Sequence, residues 1–397
     1  MLDYVACWYK KAADYMQGTH IRAALVSTNS ICQGQQVTPL WWPLFDQGIR
    51  FNFAHRSFVW GNEAEDQAHV HVVIIGFSYD DVTPKYLFDY PKGEEPIRRK
   101  VSHINGYLAE APDVFVEKRS RPLCNVKPMI RGCGPTDGGN LLMWQDEKDE
   151  LVAKEPAAEK WIRPFSMGAE FINGKPRYCL WLVDCPPHEI ARMPLVKERV
   201  LRVKQMRESS AKAATRKKAE TPWLFDEIRP AEGKRYIAVP QVSSERRRYV
   251  PIGFLKTTHI PGNMLYSVSD SGYFDLGVLS SQFHNAWMRA VAGRLEMRYR
   301  YTNTLVYNTF VWPSPTPEQR SEIESEAASV LEAREKNAPA TLADLYDPDN
   351  DWLYPELTSA HKRLDRAVEA ACGVDFDGDE TAIVAHLFSL YAKATAE

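Results

Sequence analysis

The 397-residue sequence has no run approaching the ~18 consecutive apolar residues of a membrane span, so a membrane-spanning role is not expected. Cysteine is sparse: seven residues, an odd number at scattered positions, with no second pair near Cys179 and Cys185. Such usage gives no disulfide framework and fits a reducing cytoplasm. The opening MLDYVACWYKKAADYM reads as an amphipathic helix and lacks the basic start and small-residue cleavage site of a secretion signal. Nucleotide-loop signatures are missing as well. There is no Walker motif, and the glycines of GCGPTDGG (132–139) neither follow a clear strand nor open a clear helix. DPDND (347–351) and DFDGDE (375–380) begin like calcium loops. Trp352 and Thr358 in the first, and Glu380 and His386 in the second, stand where that loop needs its Gly and its bidentate Glu. His55, His69 and His71 are joined by no Cys or Glu at ligand spacing, so no metal site is expected. Motifs alone reveal no catalytic centre.

The net charge of −3 conceals a strong division. From Arg192 to Arg248 there are 16 Lys/Arg against 7 Asp/Glu; from Glu318 to Glu397 there are 7 against 18. The basic part holds two dense clusters, KAATRKK (212–218) and ERRR (245–248). Clusters of this kind are an electrostatic footprint for nucleic acid, because each phosphate contact releases condensed counterions. A solvated helix face is the plainer alternative.

Three short β-rich runs, Arg22–Ser27, Ile49–His55 and Ala68–Phe77, organise the chain. The first two are joined by a helix-like segment, Gln35–Phe45, strained by Pro39 and Pro43. The third is almost continuously apolar, as in a strand covered on both faces. Strand, helix, strand, strand is the closing half of an α/β sheet, and its first strand would form an open edge. Upstream lies one helix, with Leu2, Val5, Tyr9, Ala12 and Met16 on one stripe. Turn-rich sequence after Ser78 marks a boundary near residue 80. Beyond it the patterns predict a strand over 172–184, helix over 187–219, and strands at Arg235–Val239 and Tyr249–Leu255 around an SSERRR turn. A helix at Gln282–Arg294, a strand over 297–313 and a helical region after Pro313 complete the pattern.

LDYVACWYKKAADYM, RAALVSTNSICQGQQV, FAHRSFVWGNEA and AHVHVVIIGF resemble the later part of the methyltransferase region of the MmeI-like (type IIL) restriction–modification enzymes. The resemblance continues through RYIAVPQVSSERRRYVPIGFL and GRLEMRYRYTNTLVYNTFVWP into the C-terminal helices. It implies α/β plus α+β architecture: a partial class I, Rossmann-like methyltransferase sheet (1–80), a mixed target-recognition domain (81–313) and a C-terminal helical domain (314–397). It also implies adenine-N6 methylation of double-stranded DNA with S-adenosyl-L-methionine as cofactor. The family's glycine-rich cofactor loop and Asn-Pro-Pro-aromatic motif do not occur in this sequence; the one Pro-Pro, in DCPPHE (184–189), is flanked by Cys and His. The chain thus resembles the C-terminal portion of such an enzyme, inactive alone. The alternative is a non-catalytic specificity subunit docking on a separate methyltransferase chain.

Site candidates follow. Phe77 matches the place where the resemblance puts an aromatic beside a flipped base, with a core role as the alternative. Asn29 sits at the C-terminal end of the first strand, the edge where open α/β sheets place ligands. Phe58 and Trp60 are loop aromatics that line a DNA-facing cleft or simply pack. GRLEMRYR (293–300), read as one strand, puts Glu296, Arg298 and Arg300 on one face and Met297 and Tyr299 on the other. An acid and two guanidinium groups suit cytosine amino and guanine O6/N7 edges, and a surface salt-bridge ladder is the alternative. Arg246, Arg247, Arg248, Lys217 and Lys218, with Ser243 and Ser244, are expected phosphate contacts.

Overall fold

The computed structural model describes residues 2–60, 70–90 and 95–396. The apolar runs form one sheet from β1 (Arg22–Thr28), β2 (Arg50–Trp60), β3 (Val70–Ser78), β4 (Lys85–Asp89) and β5 (Ile97–Val101), in the order β1-β3-β2-β4-β5. β3 lies antiparallel between β1 and β2, so β1 is left at the edge as the sequence predicts, with Val26 exposed. Two helices, α1 (Ala6–Met16) and α2 (Val37–Asp46), cover one face. The buried Trp41 ring meets Tyr9 and Phe51 edge-on at 5.0 and 4.6 Å, the favoured aromatic geometry. α1 is rolled from the expected stripe. Ala6 and Ala13 join Tyr9 and Met16 in the core while Leu2 stays exposed, because small side chains let the helix approach the sheet. The sheet also runs past the expected boundary near residue 80, since β4 pairs parallel with β2 and β5 closes the far edge.

Residues 102–128 contain no helix or strand. Side chains replace the missing ladder: Asn105 Oδ1 accepts from the Tyr107 and Ala109 amides, and Asn308 Nδ2 donates to the Arg119 carbonyl.

The recognition region has two cores. One is built by β7 (Leu142–Trp144), α3 (Gln145–Lys154), β8 (Ile162–Ser166), β9 (Arg177–Leu180), α5 (Pro187–Ala191) and α6 (Pro194–Glu208), while α4 (Gly168–Ile172) and α7 (Ala213–Lys217) lie outside its apolar cluster. Its sheet is completed by β13 (Ile260–Pro261). The strand expected over 172–184 shrinks to β9. The long helix expected over 187–219 breaks into three, with Pro194 opening the main one, where its missing N–H is harmless. The other sheet is β12-β10-β14-β6, from β6 (Met129–Arg131), β10 (Arg235–Pro240), β12 (Gly253–Lys256) and β14 (Leu265–Ser269). A small sheet, β11-β16-β15, joins β11 (Val242–Ser243) to a hairpin of β15 (Gly293–Leu295) and β16 (Arg298–Arg300). The strand expected over 297–313 stops at Arg300. Asn303–Tyr307 winds into a π turn instead, with Leu305, Val306 and Tyr307 all buried. Helices α8 (Tyr273–Ser280) and α9 (Gln282–Val291) then pack on α10 (Pro317–Lys336), α11 (Leu342–Leu345), α12 (Pro355–Ala371) and α13 (Glu380–Ala396). Among the described residues no helix is long and apolar enough to cross a membrane.

Arg207 pins the first recognition core. Its guanidinium is fully buried and donates all five N–H groups, to the carbonyls of Pro135, Thr136, Lys218, Thr221 and Leu224, at 2.8–3.2 Å. Arg207→Met leaves these carbonyls unsatisfied and should cost at least ~3 kcal/mol, with Arg207→Lys intermediate. Denaturant unfolding measures this, and a Met variant as stable as the parent rules the staple out.

A second polar network ties the C-terminal helices to the recognition region. Tyr249 Oη donates to Asp365 Oδ2 at 2.6 Å, the Gln282 amide donates to Asp365 Oδ1 at 2.7 Å, and the Tyr249 ring stacks on His361 at 4.1 Å. His361 Nε2 shares a 2.7 Å hydrogen bond with Tyr346 Oη, which also accepts from Arg334, and Arg334 reaches the Ile252 carbonyl. Burial raises the Asp365 carboxyl to about 6 against the pull of Tyr249, the Gln282 amide and Arg248, and Glu369 adds to the rise. The stabilising contribution of a raised carboxyl is complete below the unfolded value of 3.8 and lost as pH climbs through about 6, a swing of about 3 kcal/mol. Asp365→Asn should therefore abolish a fall in stability between pH 4 and ~7, read as the difference between variant and parent. His361, held neutral by burial, titrates with the opposite sign and cancels in that difference. An unchanged slope would contradict the assignment.

Candidate nucleic-acid interface

The chain leaves β1 through two tight turns, Asn29–Cys32 and Gly34–Gln36, before entering α2. The Trp41 indole donates to the Ile31 carbonyl at 2.9 Å. Asp3 Oδ2 accepts from Ser30 Oγ at 2.6 Å and Gln36 Nε2 at 2.8 Å, bonds that hold its carboxyl below the ordinary range. Asn29 is thereby fixed at the C-terminal end of β1, buried, with Nδ2 donating to Ser57 Oγ at 3.2 Å. Ser57 occupies a bulge in β2 between His55 and Phe58, and such bulges re-aim side chains.

The sheet face opposite α1 and α2 carries aromatics on adjacent strands. His55 stacks on Phe88 at 4.2 Å and Phe58 on Tyr90 at 4.6 Å, while His55 Nδ1 and Tyr90 Oη share a 2.6 Å hydrogen bond. Trp60 extends the row and is half exposed. Arg98 lies 5.1 Å over the Tyr86 ring, and Arg98 and Lys100 are exposed along the rim. Stacked rings bordered by cations are the usual platform for nucleic-acid bases. Phe58 and Trp60 were legible as candidates, although both lie within β2, paired with β3, rather than in a loop. His55, Phe88 and Tyr90 were missed, although the alternation in YLFDY (86–90) places Tyr86, Phe88 and Tyr90 on one face.

Phe77 is elsewhere. It pairs with Ala23 at the opposite end of β1 from Asn29, and its fully buried ring packs 5.4 Å from Tyr9. Its place is that of a core residue, as expected for a strand side chain facing covering helices, so the structure does not bring Phe77 and Asn29 together.

The segment 293–300 is a hairpin, not one strand. Leu295 pairs with Arg298, and the chain reverses at Glu296, which adopts φ +59°. Arg298 and Arg300 do share an exposed face with Tyr299 buried between them, as expected. Glu296 sits at the tip and pairs with Arg298 at 2.9 Å. Met297 is half-buried at the turn rather than facing inward on a strand. Arg294 braces the hairpin from within, 4.3 Å over the Tyr299 ring and donating to the Met297 carbonyl. The base of the hairpin touches the turn that begins at Gly34, so hairpin and strand end share one edge.

The other basic candidates divide. Lys217 is exposed on α7, and Lys218 is exposed but donates to the Asp226 carbonyl at 2.8 Å. The ERRR cluster is not a free cationic patch. Arg246 pairs with Asp349 at 2.6 Å, Arg248 donates to Gln282 Oε1 at 2.8 Å, and Arg247 is half-buried with its pKa lowered by burial. Ser243 pairs with Tyr299 in the small sheet and is buried, which removes it from any phosphate; Ser244 Oγ accepts from the Arg246 amide. The acidic partners come from the C-terminal helical region, about a hundred residues away in sequence. His69 lies outside the described residues.

Models of MmeI domains match most of the chain: the DNA-methyltransferase domain over residues 1–89, the target recognition domain over 110–314 and the C-terminal domain over 315–397. The chain belongs to the MmeI family. It is 39% identical over 398 residues to DNA methyltransferase A of Bacillus subtilis (strain 168), covering 100% of this chain and 44% of that protein. It is also similar to the solved structure of the type IIL restriction–modification enzyme MmeI in complex with DNA. That match has a TM-score of 0.92 and 44% identity over 99% of this chain and 52% of MmeI. The chain thus spans about half the length of these relatives.

Burial under Phe88 lowers the His55 pKa from 6.5. Its imidazole should titrate below that value by NMR, and Phe88→Ala should move the midpoint back up. A His55 midpoint at or above 6.5 would rule out the stacked arrangement.

Proposed function

We propose that this chain is the C-terminal portion of a sequence-specific adenine-N6 DNA methyltransferase of a type IIL restriction–modification system, acting on double-stranded DNA in the cytoplasm. The observation that carries the reading is the braced hairpin presenting Arg298 and Arg300 beside the C-terminal end of β1. A hairpin of this width fits the major groove, and guanidinium groups pair with guanine O6 and N7. Glu296, at the tip, is placed to accept from a cytosine amino group once Arg298 turns to a base. Lys217 and Lys218, with Arg98 and Lys100 on the sheet face, serve as phosphate contacts. A flipped adenine would stack on the aromatic row of His55, Phe58 and Tyr90 beside Asn29, rather than on Phe77.

S-adenosyl-L-methionine supplies the methyl group in this reading. The residues present do not make a complete site for it. The groove of about 320 Å³ on the outer sheet face is lined by Arg22, Asn52, Phe53, Gly76 and Tyr86, among others, with no carboxylate for the ribose hydroxyls. The sequence also holds no Asn-Pro-Pro-aromatic motif. No methyl-transfer step is assigned to these residues, and the chain alone is proposed to be inactive. The exposed β1 edge, whose unpaired backbone is a template for another strand, supports a second reading: a specificity subunit docking on a separate methyltransferase chain.

Selection from a pool of random duplexes should enrich one sequence, with affinity falling steeply as salt rises. Arg298→Ala and Arg300→Ala should each relax one position by ~1–3 kcal/mol, whereas Lys217→Ala should weaken all duplexes alike. No enrichment would defeat both readings, and methyl transfer by the purified chain would defeat the assignment of inactivity.

A further inference from the structure

The contact between the turn after β1 and the hairpin is backbone against backbone. Gly34 has φ +56°, and a Cβ built there would lie 3.1 Å from Gly293 Cα and 3.3 Å from Gly293 N. Those atoms belong to a paired strand, with Gly293 opposite Arg300, so they cannot swing aside as a side-chain tip does. Both flanks are stiff. Asp3, Ser30, Gln36 and Trp41 hold the turn, and Arg294 braces the hairpin across Tyr299. A displacement at Gly293 therefore travels along the pair to Arg298 and Arg300 instead of being absorbed locally.

We propose that Gly34 is a positioning residue: its missing side chain sets how close the hairpin sits to the C-terminal end of β1, and so fixes the register between base reading and the strand edge that holds Asn29. This rests on the assignment of Arg298 and Arg300 to base reading. The contact is asymmetric, which makes it testable. A Cβ on Gly293 would meet Gly34 Cα at 4.0 Å, an ordinary contact. Gly18 has φ +73° with nothing within 4 Å, so alanine there carries the left-handed backbone strain and no collision. Asparagine tolerates that backbone better than alanine while still carrying the Cβ.

The 397-residue chain bearing Gly34→Ala, Gly34→Asn, Gly293→Ala or Gly18→Ala would be compared for binding to the enriched duplex and to the random pool. Loss of folded protein lowers both affinities together and leaves their ratio unchanged. Displacement of the hairpin lowers the ratio itself. Both Gly34 variants should lose about tenfold or more in the ratio, the effect of about one lost base contact. Gly293→Ala and Gly18→Ala should stay within about twofold. If Arg298→Ala and Arg300→Ala lose preference while both Gly34 variants keep it, the positioning role is overturned and base reading stands. If neither arginine variant loses preference, or the parent chain shows none, base reading falls and the positioning role with it.

Discussion

One continuous apolar core fixes the position of the hairpin relative to the sheet. It begins under the first sheet with Tyr9, Trp41 and Phe77, passes through Tyr107 in the irregular segment, and reaches Phe388 on α13, whose ring lies 5.1 Å from Tyr107. Trp287 on α9 meets the same Phe388 at 5.3 Å, and α9 leads directly into β15. Each of these large side chains contributes about 1.5–3 kcal/mol by burial, so separating sheet, recognition region and C-terminal helices would expose several at once. The three segments matched by the family models therefore behave as one packed body around the hairpin.

Apolar burial is not directional, and the polar bonds inside that core supply the direction. Arg289 on α9 clamps Glu380 on α13 through two bonds of 2.7 and 2.8 Å while its third nitrogen donates to the Arg248 carbonyl. Asp365 accepts from α9 and from Tyr249 at once. These groups are satisfied in one arrangement only, so a slide of the C-terminal helices would strand buried donors at a cost well above that of a lost surface bond. The helical region thus acts as the backing plate against which α9, and with it the hairpin, is held.

What was legible in the sequence was what local pattern controls. The β1 edge, the helix with two prolines, the outward Arg298 and Arg300 and the buried Tyr299 all follow from periods of two or 3.6. The reversal at Glu296 was not legible, because a glutamate at positive φ carries no turn signature of the Gly or Asn kind and is held by the pairing around it. The role of Phe77 depended on which face the helices cover, a tertiary fact. The long strand read over 297–313 failed for the same reason: Leu305, Val306 and Tyr307 are buried together, and apolar runs of that length do not distinguish a strand from a packed turn.

The charge division takes a different meaning in three dimensions. A basic middle and an acidic end suggested a free cationic surface, yet Arg246 in the basic middle is matched by Asp349 from the acidic end. Part of the positive charge in the ERRR turn is thus matched within the chain, at a surface ion pair. Exposed cations elsewhere include Arg300 on the hairpin, Lys217 on α7, and Arg98 and Lys100 beside the aromatic row, while Arg298 is matched locally by Glu296. Screening over about 8 Å at physiological salt makes placement matter, since a charge pointing the wrong way is nearly invisible to a distant anion. Pairing Arg246 with Asp349 also lowers the net charge that the ERRR turn presents to any anion.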